Sequence, residues 1–303
     1  MLAGTLAAYI IGLDSNMIRA LLWATRGLLM LIRSFKDVEA AGRVISISHG
    51  LSSAVRVLLK SDGLGFSLSE ARCGANNASK LWYKNHWEAN YVRAGKGRLL
   101  NRTTGQSWDL YPGVLYCVGP NDQHSVINSD DPLRIISVFN PPIEGDETHD
   151  EDGAYPPTGD IPPRQEPMFA RSIAEVRADG QEKIVAGGKV TAFRMLRAID
   201  GMGFSLSEVR MNAGIEVDLW YKNHWEANLV LAGTLELTDK NSDEVHLLEA
   251  GDVYCVGPND PHHLCAKTDV QLLAIFNPPL DGDEQHDADG AYPPTGPIPP
   301  GPG

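Results

Sequence analysis

With 303 residues, 43% hydrophobic and 21% charged, the chain has the length of about two globular domains and is too apolar to be disordered. Its 39 acidic and 26 basic residues leave a formal charge of -13, which repels phosphate and disfavours nucleic acid and anionic membranes as partners. The four cysteines, Cys73, Cys117, Cys255 and Cys265, form no CxxC pair, so structural zinc and a disulfide scaffold are not expected and a reducing cytoplasm is the simplest compartment.

Residues 1–29 hold apolar runs broken by Asp14, Arg19 and Arg26. None approaches the roughly 20 residues of a bilayer-spanning helix, and no basic segment precedes the first run as in a signal peptide. The segment reads as a leader outside the working protein, with translation from Met30. The alternative is a basic amphipathic helix that touches a membrane or partner.

From Met30 the chain repeats itself. Shifting Met30 onto Met168 lays MLIRSFKDVEAAGR over MFARSIAEVRADGQ and GLGFSLSEAR over GMGFSLSEVR. LWYKNHWEAN occurs at Leu81 and again at Leu219, YCVGPND at Tyr116 and Tyr254, and FNPP at Phe139 and Phe276, while DGAYPPTG closes both copies. So long a period marks tandem domains and not a solenoid. Domains are expected over 30–158 and 168–296, with a Pro-rich linker over 159–167 and a Pro/Gly tail over 297–303. The linker should act as an extended, semi-rigid spacer.

Within each copy SFKDVEAAG and SIAEVRADG predict one short helix. RVLLKSDGLGFSLSEAR predicts two strands around a Ser-Asp-Gly turn. KLWYKNHWEANYVRAG alternates apolar and polar residues in a strand-like pattern, and LRIISVFN and VQLLAIFN are short apolar runs ending in paired prolines. Many short antiparallel strands predict an all-β barrel or jelly roll.

His86, Glu88 and Gly95, then Pro112-Gly113 and PNDQH ending at His124, follow a loose cupin pattern. The second copy offers His224, Glu226 and Gly233, then PNDPH ending at His262. On a strand His86 and Glu88 share a face. Tyr116 lies across the GPND turn from His124, so a carboxylate, a phenol and an imidazole can meet at the barrel mouth. Such an oxygen-rich, thiol-free set with open positions suits Fe(II), Mn or Zn. A single strand Tyr or His is more often a packing residue, so the case rests on the motif as a whole.

WYKNHWEANYVRAGKGRL, PGVLYCVGPNDQH and VFNPPIEGDETHDEDGAYPP resemble the ectoine synthase family of metal-dependent cupin enzymes, over Met30 to Thr158 and Met168 to Thr295. The resemblance implies two tandem double-stranded β-helix (jelly-roll) barrels and ring closure of N-γ-acetyl-L-2,4-diaminobutyrate to ectoine with loss of water. It implies a divalent metal, foremost Fe(II), held by Glu88, Tyr116 and His124 and by Glu226, Tyr254 and His262. Arg56, Arg194, Tyr83, Tyr221, Phe139 and Phe276 would surround the substrate. Glu147 and His149, with Glu284 and His286, would be catalytic residues of a closing tail.

The family forms homodimers, so the tandem is expected to make an intramolecular pseudo-dimer. Three pocket positions depart from the family in both copies. Ser52 and Val190 replace its Trp, Ala71 and Val209 its Thr, and Ser137 and Ala274 its Cys. A cupin lyase or oxygenase acting on another small zwitterion therefore stays open, as does a non-catalytic solute-binding barrel.

Overall fold

The computed structural model describes residues 30–50, 52–128, 130–163 and 166–302; the leader expected over 1–29 lies outside them. The two predicted helices are six-residue pieces, Phe35–Ala40 and Ile173–Ala178. Each starts where a serine caps the free amides: Asp37 N donates to Ser34 Oγ at 2.9 Å, and Glu175 N to Ser172 Oγ at 3.2 Å. Glu175 also accepts from Ser172 N at 2.7 Å, completing a capping box.

Everything else regular is antiparallel strand or single 3₁₀ turns. In the first copy one sheet runs Val44–Ile47, Ser52–Leu58, Ser67–Cys73, Leu133–Asn140, Trp87–Ala94 and Val114–Val118. A four-stranded sheet, Ala78–Leu81, His124–Ile127, Gly97–Asn101 and Ser107–Leu110, packs against it. Leu99, Val126, Val92 and Ile135 from both sheets share the core between them. The second copy repeats this arrangement, and the fold is a pair of cupin jelly rolls.

Each copy lends its first strand to the other. Phe169–Ser172 extends the first copy's large sheet, with Ala170 opposite Tyr116. Leu31–Ser34 extends the second copy's sheet, with Ile32 opposite Tyr254. The outer faces of the two large sheets then bury one another: Ala89, Leu115 and Cys117 join Leu229, Val253 and Cys255 in a single core. Phe66 meets Phe204 there, with ring centroids 6.0 Å apart. Period two sends Leu115 and Cys117 to this shared core and Val114, Tyr116 and Val118 into the barrel. Both faces being buried is why VLYCV reads as an unbroken apolar run.

Polar ties cross the same junction. Asn140 Nδ2 donates to Met202 O at 2.9 Å, and Asn277 Nδ2 to Leu64 O at 3.0 Å. Tyr91 Oη donates to Glu208 Oε2 at 2.6 Å, a buried bond to a carboxylate. Tyr91→Phe should therefore cost about 1.5 kcal/mol, read as a lower urea midpoint for one transition that both copies share.

KLWYKNHWEANYVRAG divides between Ala78–Leu81 in the small sheet and Trp87–Ala94 in the large one. The chain turns the barrel's corner there, with Lys84 N donating to Trp82 O at 2.9 Å and Trp82 Nε1 to Pro120 O at 2.7 Å. The linker is also tied to the first barrel. Trp87 Nε1 donates to Pro162 O at 2.9 Å, and in the second copy Trp225 Nε1 donates to Pro299 O at 3.0 Å. Linker and C-terminal tail are thus equivalent straps, the second reaching the first copy through Gly301 N to Gly63 O at 3.0 Å. All four cysteines are free and buried. Among the described residues no helix is long and apolar enough to cross a membrane.

Candidate active site

Trp87–Ala94 and Val114–Val118 are neighbours with Asn90 opposite Tyr116 and Glu88 opposite Val118. Glu88 and Tyr116 therefore sit diagonally on the inward face, and Phe139 lies opposite Glu88 on the next strand. Glu88, Tyr116, Tyr83, Ser137 and His149 line one cavity of about 30 Å³, which shares Ser48, Ser79 and His149 with an outer pocket of about 240 Å³. The second barrel holds a cavity of about 40 Å³, lined by Glu226, Tyr254, Tyr221, Arg194, Phe276 and His286 among others. His124 and His262 are not among these lining residues. Each starts its own strand in the small sheet and meets the pocket tyrosine, with ring centroids 6.0 Å (Tyr83) and 6.1 Å (Tyr221) away.

Burial dominates the electrostatics. It pushes Glu88 up to about 7 and Glu226 up to about 8, the hydrogen bonds of Asn90 and Asn228 opposing it. Burial, then the neighbouring Glu, holds Tyr116 and Tyr254 well above the usual phenol range. It also takes His124 and His262 down to about 4, so both imidazoles are neutral. His124 Nδ1–H donates to Asp122 O and His262 Nδ1–H to Asp260 O, each at 2.9 Å. This bond fixes the tautomer and leaves a lone pair on Nε2. In both residues that Nε2 is buried with no protein partner.

Each barrel thus buries an imidazole nitrogen without a hydrogen-bond partner, a carboxyl and a phenol, donor types that suit a divalent cation. Among the described residues no three His, Cys, Asp or Glu side chains gather as a metal cluster.

The acidic tail closes the cavity. In the first barrel Arg56 Nη1 lies 3.3 Å from Glu147 Oε2 and Nη2 donates to Glu147 O at 2.8 Å. Glu147 also accepts from the amides of Glu144 (2.5 Å) and Gly145 (2.8 Å). His149 Nδ1 accepts from Ser48 N at 3.1 Å, so its proton sits on Nε2, which donates to Tyr83 Oη at 3.0 Å.

The second barrel differs. Arg194 donates to Tyr292 Oη at 2.9 Å and Ser207 Oγ at 3.4 Å. Glu284 accepts from the amides of Asp281 and Gly282, the latter at 2.8 Å. His286 Nε2 lies 3.4 Å from Tyr221 Oη, its Nδ1 buried without a partner. Burial and Arg194 take His286 down to about 4.

Tyr155 and Tyr292 are functional neighbours that sequence reasoning missed. Tyr155 lies under the Arg56 guanidinium at 4.9 Å and beside His149 at 4.6 Å; Tyr292 does the same for Arg194 at 5.2 Å and His286 at 4.2 Å. Thr158 and Thr295 bond His86 and His224 at 3.0 and 3.1 Å, so these histidines fasten the tail. The repeated DGAYPPTG string was their signal.

A sequence profile described as ectoine synthase matches residues 30–159 and again 168–296. The chain belongs to the ectoine synthase family. The L-ectoine synthase of Desulfatibacillum aliphaticivorans is 39% identical over 127 residues, which are 42% of this chain and 97% of that protein. One copy therefore matches an ectoine synthase nearly whole, and the chain is an ectoine synthase-like cupin enzyme. Among solved structures, Bacillus subtilis oxalate decarboxylase has a TM-score of 0.59 at 15% identity, covering 87% of this chain and 78% of its own. The salicylate 1,2-dioxygenase of Pseudoaminobacter salicylatoxidans has a TM-score of 0.56 at 16% identity, covering 82% of each. These two share the fold.

Against that family background the altered wall is polar in one barrel only. Ser52 accepts from Asn77 Nδ2 at 2.9 Å and Ser137 Oγ donates to Asn90 Oδ1 at 2.6 Å. Val190 and Ala274 put hydrocarbon at the equivalent places.

Proposed function

We propose that this chain cyclises N-γ-acetyl-L-2,4-diaminobutyrate to ectoine with loss of water, as a metal-dependent cupin. What supports the reading is the buried, partnerless Nε2 of His124 and His262 in barrels whose cavities are lined by Glu88 with Tyr116 and by Glu226 with Tyr254. Glu88, Tyr116 and His124, with Glu226, Tyr254 and His262 in the second barrel, would hold the divalent ion, Fe(II) ahead of Zn or Mn. Bound there, it would supply Lewis acidity that polarises the acetamide oxygen, since a neutral amide is a poor electrophile.

The chain's own residues do the rest. Cavities of 30–40 Å³ hold two or three waters, far below the roughly 300 Å³ of a usual ligand pocket. The tail must therefore swing out to admit substrate and return to exclude water, pressing amine and carbonyl together between Tyr83 and Phe139. Arg56 would take the substrate carboxylate as a fork, and Arg194 would hold a carboxylate in the second barrel. For Arg56 that means exchanging its present partner, Glu147.

The α-amine attacks the acetamide carbon, the C–O bond breaks, and the two protons that the nitrogens release leave with the carbonyl oxygen as water. His149 and Tyr83, bonded at 3.0 Å, would relay a proton from amine to oxygen, with no net change at either side chain. Glu147 already accepts from two amides and Arg56, so it latches the closed tail more readily than it takes a proton. Tyr83→Phe, which removes the tether to His149, should speed cleavage of the tail several-fold in limited proteolysis and both raise KM and lower kcat.

The exchanged strands favour reading the tandem as a covalent pseudo-dimer of two domains, 30–158 and 168–296. The free cysteines suit the cytoplasm. The test is direct: supply the acetylated diamine to iron-loaded protein and follow ectoine by mass spectrometry. Product that disappears on chelation supports the reading. Bound metal without turnover points to a different substrate, and solute binding that survives metal removal points to a non-catalytic barrel.

A further inference from the structure

The two barrels keep the same metal set but not the same wall. In the first, Asn77 joins two hydroxyls: Asn77 Nδ2 donates to Ser52 Oγ at 2.9 Å, and Ser79 Oγ donates to Asn77 Oδ1 at 3.0 Å. Ser52 and Ser79 line the cavity. Their equivalents, Val190 and Val217, line the second cavity, and Ile215 stands where Asn77 joins them. Cys73 becomes Met211 and Ser137 becomes Ala274. Four polar or thiol side chains lining the first cavity have become hydrocarbon or thioether.

The arginines differ in the opposite sense. Arg56 is neutralised by Glu147 and does not line its cavity. Arg194 lines the second cavity and is 2% exposed. Among the described residues it has no carboxylate within 4.0 Å, and its Nε has no partner. A buried guanidinium without a counter-charge is costly, and an anion entering the cavity removes that cost.

We propose that the second barrel takes a small carboxylate with an aliphatic body, a different ligand class from the first. This rests on the reading of both cavities as substrate sites and narrows what the second accepts. Arg194 holds the head group, and Val190, Val217 and Met211 cover the body. An amine or hydroxyl on that body would lose its water against Val190, Val217, Met211 and Ala274, which offer no acceptor where the first barrel has Ser52, Ser79, Cys73 and Ser137, and this discriminates by tenfold or more. In the first barrel Ser52 and Ser79 can satisfy such groups.

Calorimetry on the full metal-loaded chain tests this, with 4-methylpentanoate and N-γ-acetyl-2,4-diaminobutyrate as probes. The expected result is one 4-methylpentanoate site per chain, lost in Arg194→Met and weakened at least tenfold in Val190→Ser with Val217→Ser. The serine pair keeps Arg194 in place, so it tests the wall even if Arg194→Met unfolds. Binding of the acetylated diamine to the first barrel should be unchanged in the serine pair. Two equal 4-methylpentanoate sites, no site at millimolar probe, or a site indifferent to the serine pair would overturn the proposal. If 4-methylpentanoate behaves as expected while no ectoine forms, the cyclisation reading fails and this inference stands. Ectoine formation with two equal sites gives the reverse.

Discussion

Glu88→Ala combined with Glu226→Ala is expected to bring bound metal down to background and ectoine formation down by about 10³-fold or more. Each single change should remove the metal of one barrel, so the metal count should fall in two equal steps. The fold should survive. Burial has already pushed both carboxyls up, to about 7 and about 8, and a buried acid without a counter-charge contributes little to stability. Thermal unfolding of the metal-free double variant should match the metal-free parent, which separates loss of the ion from loss of structure.

Arg56→Met should cost about 3 kcal/mol, whereas Arg194→Met should lie within about 1 kcal/mol of the parent. The two arginines stand at equivalent points of equivalent strands, yet only Arg56 has a carboxylate partner, with side chains 1% and 3% exposed. Its removal leaves the Glu147 carboxyl buried and answered only by two amides. Removing Arg194 strands no carboxylate, because Tyr292 Oη and Ser207 Oγ are neutral. Urea unfolding of the two metal-free variants measures the contrast. Equal losses would show that the ion pair does not hold the first tail. Adding Glu147→Gln to Arg56→Met should return part of the loss, since no charge is then left alone.

Much of the fold was legible because strand periodicity is local. Ser67–Cys73 and Leu133–Asn140 appear where apolar runs meet Gly, Asn and Pro breaks. Alternation along Trp87–Ala94 put Glu88 on the inward face, although His86 precedes that strand and shares no strand face with it, and Tyr116 reached the same cavity wall from the neighbouring strand.

The strand exchange was not legible. LIRS at Leu31–Ser34 is four residues with no turn to fix its partner, and its ladder with Asp252–Val256 is set by long-range packing. The different fates of Arg56 and Arg194 were hidden for a similar reason. Their strands read alike, and the partner of each depends on how a distant tail settles. Ser48 gave no signal because its bond to His149 is through the backbone, which no side-chain pattern reveals.

The measurement closest to the central claim is anomalous diffraction from crystals of iron-loaded protein. The account predicts one iron peak inside each barrel, bonded to Glu88, Tyr116 and His124 Nε2 in the first and to Glu226, Tyr254 and His262 Nε2 in the second. Iron bound anywhere else, or barrels that stay free of it in protein that makes ectoine, would contradict it.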